Sequence, residues 1–341
     1  MNHSEVAIRI FQVRDGEAHR FTCTDGDSLL RAALRAGVPA TYECNSGGCG
    51  SCKFTLTEGE VRQVQDAPAG LTDRDRRKGR LLACQSVPRS DCTVSLLIDP
   101  VDPFRAGLPL PARRIGEVVA ERMLTHDLRE LSLAIDADFL PGQYAMLRRP
   151  GGEERAYSMA NTPGTGVWQF HIKRVPGGAE SGAFVDEIAL GDATEVDGPY
   201  GHAHLKATGR DVVCIAGGSG LAPMVSIARG LAAAADASER RLDFFYGGRA
   251  PRDLCAGEFV TEVADRLAEI TLVDVVSDEA PDDWDGARGF VHEAVAAAGL
   301  TDLVDRDIYV AGPPPMTDAV TRLLVRELKV PIDQIHYDRF F

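Results

Sequence analysis

Cys44, Cys49 and Cys52 follow the spacing C-x4-C-x2-C, and a fourth cysteine, Cys84, stands alone further on with Ala83 and Gln85 beside it. That is the ligand spacing of a [2Fe-2S] cluster. The first three ligands lie in YECNSGGCGSC, where Gly47, Gly48 and Gly50 let backbone N–H groups curl around sulfur that a bulkier chain cannot approach. A structural zinc site is the rival reading, but such sites usually pair two C-x2-C knuckles, which this chain lacks. Cys23, Cys92, Cys214 and Cys255 sit in apolar or alternating segments without metal spacing, and are expected to be small core residues, with no disulfide framework. A chain with such a loop is expected to carry single electrons.

A length of 341 residues, at roughly 100–200 per domain, predicts two or three domains. The opening MNHSEVAIRI is neither cationic nor apolar enough for a signal segment, and no apolar run approaches a membrane span, so a soluble cytoplasmic protein is expected. The net charge is −14, and it is unevenly placed: residues 1–99 hold 13 basic and 13 acidic side chains, leaving 24 and 38 for the rest. An acidic chain repels phosphate backbones, which argues against nucleic acid as a partner. The balanced N-terminal part has the composition to present a local patch to a redox partner, but sequence does not show which of its charges face outward.

Pro100, Pro103, Pro109 and Pro111 in DPVDPFRAGLPLPAR favour an extended connector. The expected division is therefore a cluster domain over 1–99, a linker over 100–111, a second domain over 112–207 and a third over 208–341. In the first, EVAIRIFQV and RFTCT alternate like paired strands, SLLRAALRAG reads as a helix capped by Ser28 and stopped at Gly37, and KFTLTEGE and CTVSLLI read as strands. This order is that of a small β-grasp, an α+β fold. The second domain is a series of short alternating segments broken by Gly, Pro and Asp, the pattern of an antiparallel β-barrel. The third alternates apolar strands (DVVCIAGG, LDFFYGG, ITLVDVV, DIYVAG) with helices, the pattern of a doubly wound parallel α/β sheet.

Within the barrel segment, Arg155-Ala156-Tyr157-Ser158 sends Arg155 and Tyr157 to one face of a strand and Ser158 to the other. HIKRVPGGAESGAF, carrying His171 and Lys173, places Gly178 and Ser181 at a helix start that suits a pyrophosphate; its plainer reading is a turn and cap. AGGSGLAP puts Gly218 and Gly220 at a strand-to-helix turn, a phosphate-approach loop without the GK[ST] of a P-loop or the third glycine of G-x-G-x-x-G.

Together RAYS, GGAES, GGSGLAP, YGGR and AGPPPM occur in the order of the ferredoxin-NADP reductase superfamily. With the cluster domain in front, nearly the whole chain resembles its members with an N-terminal plant-type ferredoxin domain. YECNSGGCGSC, RAYSMAN, GGSGLAPMVS and the terminal IHYDRFF are most similar to the reductase (electron transfer) component of bacterial multicomponent diiron monooxygenases, the toluene monooxygenase type. The resemblance implies FAD and NADH as cofactors beside the [2Fe-2S] cluster. It makes Arg155, Tyr157, Ser158, Gly178 and Ser181 residues that hold FAD, with Ser158 near flavin N5, and counts His171 and Lys173 among the cofactor-binding residues. It makes Gly218 and Gly220 the approach for NADH diphosphate, and Gly312, Pro313 and Met316 the border of the nicotinamide. Phe341 would stack over the flavin where the nicotinamide enters, or else anchor the last strand. The chain departs from many superfamily members in having Ala311 where they have Cys, beside the reacting carbon. Arg249 suits a 2′-phosphate, but Asp253 follows it, which favours NADH. The implied function is a monomeric NADH:acceptor reductase that passes electrons through FAD and the cluster to an external oxygenase component, or to a small ferredoxin of the same multicomponent monooxygenase, in aromatic hydrocarbon or alkene oxidation. The same modules also fit the reductase of a Rieske ring-hydroxylating dioxygenase, and, from a different class, a non-enzymatic Fe-S redox sensor.

Overall fold

The computed structural model describes residues 5–11, 18–99, 104, 107–278 and 280–339. Pro100 and Pro103 of the expected connector, and Phe340 and Phe341, lie outside them. The chain forms two compact units, divided between Ala112 and Arg113.

In the first unit the alternating N-terminal segments pair as an antiparallel hairpin, β1 (Glu5–Phe11) with β2 (Ala18–Thr24). Helix α1 (Leu29–Arg35) follows; the Ser28 hydroxyl accepts from Arg31 N, and the helix buries Leu29, Leu30, Ala33 and Leu34 against the sheet. The chain then passes through the cysteine loop into β3 (Lys53–Glu58), a short β4 (Val61–Gln63), α2 (Asp73–Arg77), β5 (Arg80–Leu82), β6 (Ser86–Pro88) and β7 (Cys92–Leu96). The sheet order is β2-β1-β7-β3-β5, with β1 and β7 parallel, the expected β-grasp.

The second unit begins with β8 (Ala112–Met123), β9 (Leu128–Ala134), β10 (Tyr144–Arg148), β11 (Arg155–Ser158), β12 (Val167–Lys173), α3 (Ala179–Asp186) and β13 (Ala193–Tyr200). These six strands follow the order β11-β10-β13-β8-β9-β12, and the sheet closes on itself where Met159 bridges Phe170 and Ala160 N donates to Gln169 O at 2.7 Å. The barrel interior is filled by Leu131, Leu133, Phe139, Leu147, Phe170 and Trp168, whose indole N–H donates to Ala137 O at 2.9 Å. Truncating a fully buried tryptophan of this kind costs ~3–5 kcal/mol.

The chain continues through β14 (Val212–Gly217), α4 (Leu221–Ala232), β15 (Arg241–Gly248), α5 (Ala256–Ala264), β16 (Glu269–Val276), β17 (Ala287–Arg288), α6 (Val291–Ala297), β18 (Asp307–Gly312), α7 (Pro314–Arg322) and β19 (Ile335–Arg339). The strands are all parallel, in the order β17-β16-β15-β14-β18-β19. The unbroken apolar strands follow from burial on both faces: Val212, Cys214, Ala216, Leu242 and Phe244 pack under α4 and α5, while Val213, Ile215, Phe245, Ile308 and Val310 pack under α6 and α7. Among the bonds that join the barrel to this sheet, the Ser226 hydroxyl of α4 donates to Asn161 O at 2.6 Å and accepts from Gly142 N at 3.3 Å, and Arg229 of the same helix donates to Ala160 O at 3.0 Å. No helix among the described residues is long and apolar enough to cross a membrane.

Candidate functional sites

The cysteine loop is braced by its own backbone. Its backbone is wedged against Gly70: Gly70 N donates to Gly47 O at 2.9 Å, and a Cβ on Gly50, whose φ is +75°, would run into the Gly70 carbonyl. Three N–H groups point at sulfur, from Ser46 and Cys49 to Cys44 Sγ at 3.5 and 3.3 Å and from Ser51 to Cys49 Sγ at 3.4 Å. Cys84 is carried in from a separate segment by a short turn after β5, where Ala83 N donates to Cys52 O at 2.9 Å, and Cys52 and Cys84 Sγ come within 3.4 Å. The thiol of Cys49, with Ser46 N–H beside it, draws the Cys44 pKa down to about 4 against the pull of burial, while sharing that proton holds Cys49 high. The Cys52–Cys84 pair divides the same way, and the charge of Cys44 is felt at both. Four sulfurs, three of them buried and Cys49 half-buried, with backbone donors aimed at Cys44 and Cys49, fit an iron-sulfur cluster. Of the other cysteines, Cys23, Cys92 and Cys214 are buried and free, and Cys255 is half-buried at the start of α5.

At the barrel, β11 divides its side chains as the alternation predicts. Tyr157 lies against Phe184 of α3, ring centroids 5.6 Å apart and nearly perpendicular, and burial pushes its pKa up to about 12. Arg155 is exposed and turned back onto Glu153 Oε2 and Glu154 O, both at 2.7 Å. Ser158 faces the other way and donates to Asp338 Oδ2 at 2.6 Å. The α3 start is shaped by Gly178, whose lack of a side chain leaves the first helical turn uncapped, while the Ser181 hydroxyl accepts from Val175 N at 3.1 Å and donates to Gly178 O at 3.3 Å. An uncapped helix start beside an exposed arginine and a tyrosine half-buried on that helix fits a pyrophosphate joined to an aromatic ring system.

His171 is a correction to the grouping suggested by sequence. Its side chain is wholly buried, with Nε2 3.1 Å from Glu130 Oε2 and the ring tilted against Phe259 of α5 at 5.1 Å. Burial lowers its pKa and keeps the ring neutral. Burial opposes ionisation of Glu130 too, but bonds from His171 and Arg122 overcome this and hold the carboxyl at about 2. The imidazole therefore joins the barrel to the parallel sheet and presents no face to a ligand. Lys173, two residues on, has Nζ on Asp127 Oδ1 at 2.8 Å, and its aliphatic stem lies over Gly218.

The parallel sheet reverses direction of winding between β14 and β18, and the crevice at the carboxyl ends of these two strands is where such sheets take ligands. Gly218 and Gly220 stand there. A Cβ on Gly220 would run into the Ala311 carbonyl oxygen, so only glycine lets the α4 start sit this close to β18. Tyr246 donates to Gly218 O at 3.2 Å, and no side chain caps α4. From the other side Gly312 and Pro313 lead into α7, and the Met316 thioether lies against Gly217 and Gly312. Two glycine-bounded strand ends with an open helix start fit a dinucleotide diphosphate. Ala311 is fully buried and pairs in register with Asp338, which is how the last strand delivers its carboxylate to Ser158. Sequence reasoning passed over Asp338: it stood in the quoted IHYDRFF, but the strand pairing that gives it a role is invisible in one dimension.

At the outer edge of the crevice Arg249 is held between carboxylates, Nε 3.5 Å from Asp253 Oδ2 and Nη2 3.8 Å from Asp127 Oδ2. Asp253 Oδ2 also accepts from Arg249 N at 3.0 Å and Ala250 N at 3.3 Å. With both charges met, Arg249 keeps little positive potential for a further phosphate.

Comparison with known proteins matches three family models: the 2Fe-2S iron-sulfur cluster binding domain over residues 13–89, the oxidoreductase FAD-binding domain over 116–205 and the oxidoreductase NAD-binding domain over 214–322. The chain is 42% identical to a ferredoxin–NAD(P)(+) reductase of Metapseudomonas resinovorans over 94% of this chain and 96% of that protein. It is 38% identical to the ferredoxin–NAD(+) reductase component of the alkene monooxygenase system of Xanthobacter autotrophicus, over 96% of this chain and all of that one. Among solved structures, a ferredoxin reductase in carbazole 1,9a-dioxygenase superposes over the whole of both chains with a TM-score of 0.87 at 37% identity.

Proposed function

The chain belongs to the family of ferredoxin–NAD(P)+ reductases that join a [2Fe-2S] domain to FAD- and NAD-binding domains, and from that premise we propose that it feeds an oxygenase component with electrons taken from NADH. Bound FAD supplies two-electron acceptance and one-electron release, and the cluster supplies one-electron carriage. The observation that carries this reading is the presence, in one chain, of four converging cysteine sulfurs and a glycine-bounded crevice at the switch point of a parallel sheet.

The residues divide the work as follows. Residues 1–99 hold the cluster on Cys44, Cys49, Cys52 and Cys84; residues 112–207 hold FAD; residues 208–341 hold NADH. Arg155, the α3 start at Gly178, and Ser181 fix the FAD diphosphate, and Tyr157 supports the flavin and ribityl. Ser158, kept in orientation by the bond its hydroxyl donates to Asp338, would stand near flavin N5 when FAD is bound. Gly218 and Gly220 admit the NADH diphosphate, the aliphatic stem of Lys173 lies over Gly218, and Gly312, Pro313 and Met316 border the nicotinamide. Ala311, at the position where many superfamily members have a cysteine, is fully buried, so no thiol is supplied there.

The acceptor proposed is the diiron hydroxylase system of an alkene or aromatic monooxygenase, as the similarity to the alkene monooxygenase component suggests. A ring-hydroxylating dioxygenase is the second reading, favoured by the likeness to the reductase of the carbazole system. Anaerobic titration with NADH, followed by flavin bleaching and by EPR of the reduced cluster, tests the electron path. Reconstitution with a purified diiron hydroxylase and, separately, with a Rieske oxygenase tests the acceptor. Product from one and not the other decides between them; an unreduced cluster rejects the whole reading.

A further inference from the structure

Residues 45–51, which run between and around the first three cluster ligands, read NSGGCGS and carry no charge. Beside this neutral rim lies a dense run of positive charge. Residues 72–80, TDRDRRKGR, hold five cations, Arg74, Arg76, Arg77, Lys78 and Arg80, against Asp73 and Asp75, and all five cations are exposed. Between Val61 and Thr72 the chain adds only Arg62 and Asp66, so the surplus is not cancelled by its immediate neighbours.

The patch is fixed to the cluster site at several points. Gly70, two residues before the cap of α2, is the residue wedged against Gly47 and Gly50 of the ligand loop. Thr72 and Asp75 cap α2 reciprocally, and Arg76 Nη2 donates to Pro68 O at 3.2 Å, tying the helix to the wedge. Buried Asp75 accepts from Lys53 Nζ at 2.9 Å, next to ligand Cys52, and from Arg80 Nη1 at 3.1 Å, at the head of the strand that leads to ligand Cys84. Lys53 holds the Asp75 carboxyl well below the usual range, so this anchor stays charged.

The two carboxylates are thus spent on internal pairs: Asp75 is shared by Lys53 and Arg80, and Asp73 lies 3.4 Å from Arg76. Among the described residues, no carboxylate lies within ion-pair distance of Arg74, Arg77 or Lys78. These three project positive charge from a protein whose net charge is −14. An acidic approaching protein is repelled by the chain as a whole and attracted here, next to the neutral rim through which an electron leaves.

We propose that the α2 patch is the docking surface for the electron acceptor, and that the acceptor meets it with an acidic face. The proposal rests on the reading that the cluster passes electrons outward. In each encounter one electron leaves the reduced cluster and reduces one metal centre of the acceptor by one unit, with no proton or group transferred. Contacts of this kind are small and short-lived, so charge sets their rate more than buried area does.

The test uses the full-length holoprotein and a triple charge reversal, Arg74→Glu, Arg77→Glu and Lys78→Glu, at three side chains that make no ion pair among the described residues. Rubredoxin, a small acidic one-electron carrier, and cytochrome c, a basic one, serve as acceptors under steady NADH. The intact protein reduces rubredoxin at a rate that falls with salt; the variant loses on the order of tenfold or more at low ionic strength and gains with cytochrome c. The difference shrinks toward zero at about 0.5 M salt, where the screening length is only a few ångströms. Flavin bleaching by NADH and the EPR signal of the reduced cluster are the same in both proteins. If the cluster reduces normally yet the variant treats rubredoxin as the intact protein does, the docking proposal is wrong. If NADH never reduces the cluster in the intact protein, the fault lies with the electron path and not with the patch.

Discussion

Three of the four cluster ligands lie within nine consecutive residues, 44–52, and the loop that carries them is shaped by its own glycines and by Gly70 close by in sequence. The nucleotide crevice is built in the opposite manner. Ser158 and the Asp338 that orients it are 180 residues apart, and Gly220 matters because of a carbonyl on β18. The first site is a local device that happens to sit in a fold; the second exists only because a barrel and a sheet have already formed. The two should fail differently under mutation.

The largest effect is expected at the local site. Cys84→Ser removes a ligand with no substitute nearby, so the cluster absorbance and its EPR signal disappear and protein acceptors are reduced only at background rate. Flavin bleaching by NADH survives. If bleaching is lost as well, the sites are less separable than their construction implies.

Next is Gly220→Val, which forces side-chain atoms into the Ala311 carbonyl. Overpacking of this kind costs ~1–3 kcal/mol or more. NADH affinity should fall on the order of tenfold, read as KM in flavin reduction, with the cluster signal unchanged in dithionite-reduced protein.

Ser158→Ala and Asp338→Asn should each slow flavin reduction by NADH ~10-fold, and the double variant should be little worse than either single one, because the two side chains act as a pair. Additive losses in stopped-flow measurements would show that they act separately.

A smaller change is expected at the crevice edge. Asp127→Asn releases part of the restraint on Arg249 and should raise the kcat/KM ratio of NADPH to NADH about threefold. An unchanged ratio would remove Arg249 from the discussion of nucleotide choice.

The smallest effect is on stability in acid. Glu130 has its pKa depressed from 4.5 to about 2 in the folded protein, so its contribution is complete above 4.5 and fades as pH falls toward 2. His171, kept neutral by burial, adds a loss that begins once an exposed imidazole would protonate, below about 6.5. Glu130→Gln should flatten the acid limb of a thermal-unfolding profile by ~1–3 kcal/mol, and a limb as steep as in the unaltered protein would place the acid sensitivity elsewhere.

The same contrast explains what was legible in the amino-acid sequence. Ligand spacing, glycine turns and strand alternation are short-range properties, so the cluster loop, the β-grasp order, the barrel segments and the parallel sheet could all be read from them. Helices α4 and α7 start within two residues of Pro223 and Pro315, prolines that suit a first helical turn. What could not be read depends on residues that meet only after folding. His171 looked like part of a binding strand because it stands in one, but the packing of α5 seals it. Asp338 looked like part of a tail. The basic run at 74–80 was visible as composition, yet its bearing on the cluster depends on Gly70 and Asp75, whose partners are set by the fold.

The Ser226 hydroxyl, shared between Asn161 O and Gly142 N, carries a consequence for how this protein is to be taken apart. A single side chain from the helix that follows the nucleotide loop clasps two barrel loops at once, so the flavin and pyridine halves have no hinge at this point. Fragments cut between them, near residue 208, would each expose one side of that clasp and should aggregate or unfold. A cut at the Ala112–Arg113 boundary instead separates two bodies with their own cores, and would yield a flavin-and-nucleotide fragment that can be produced and stored without its iron.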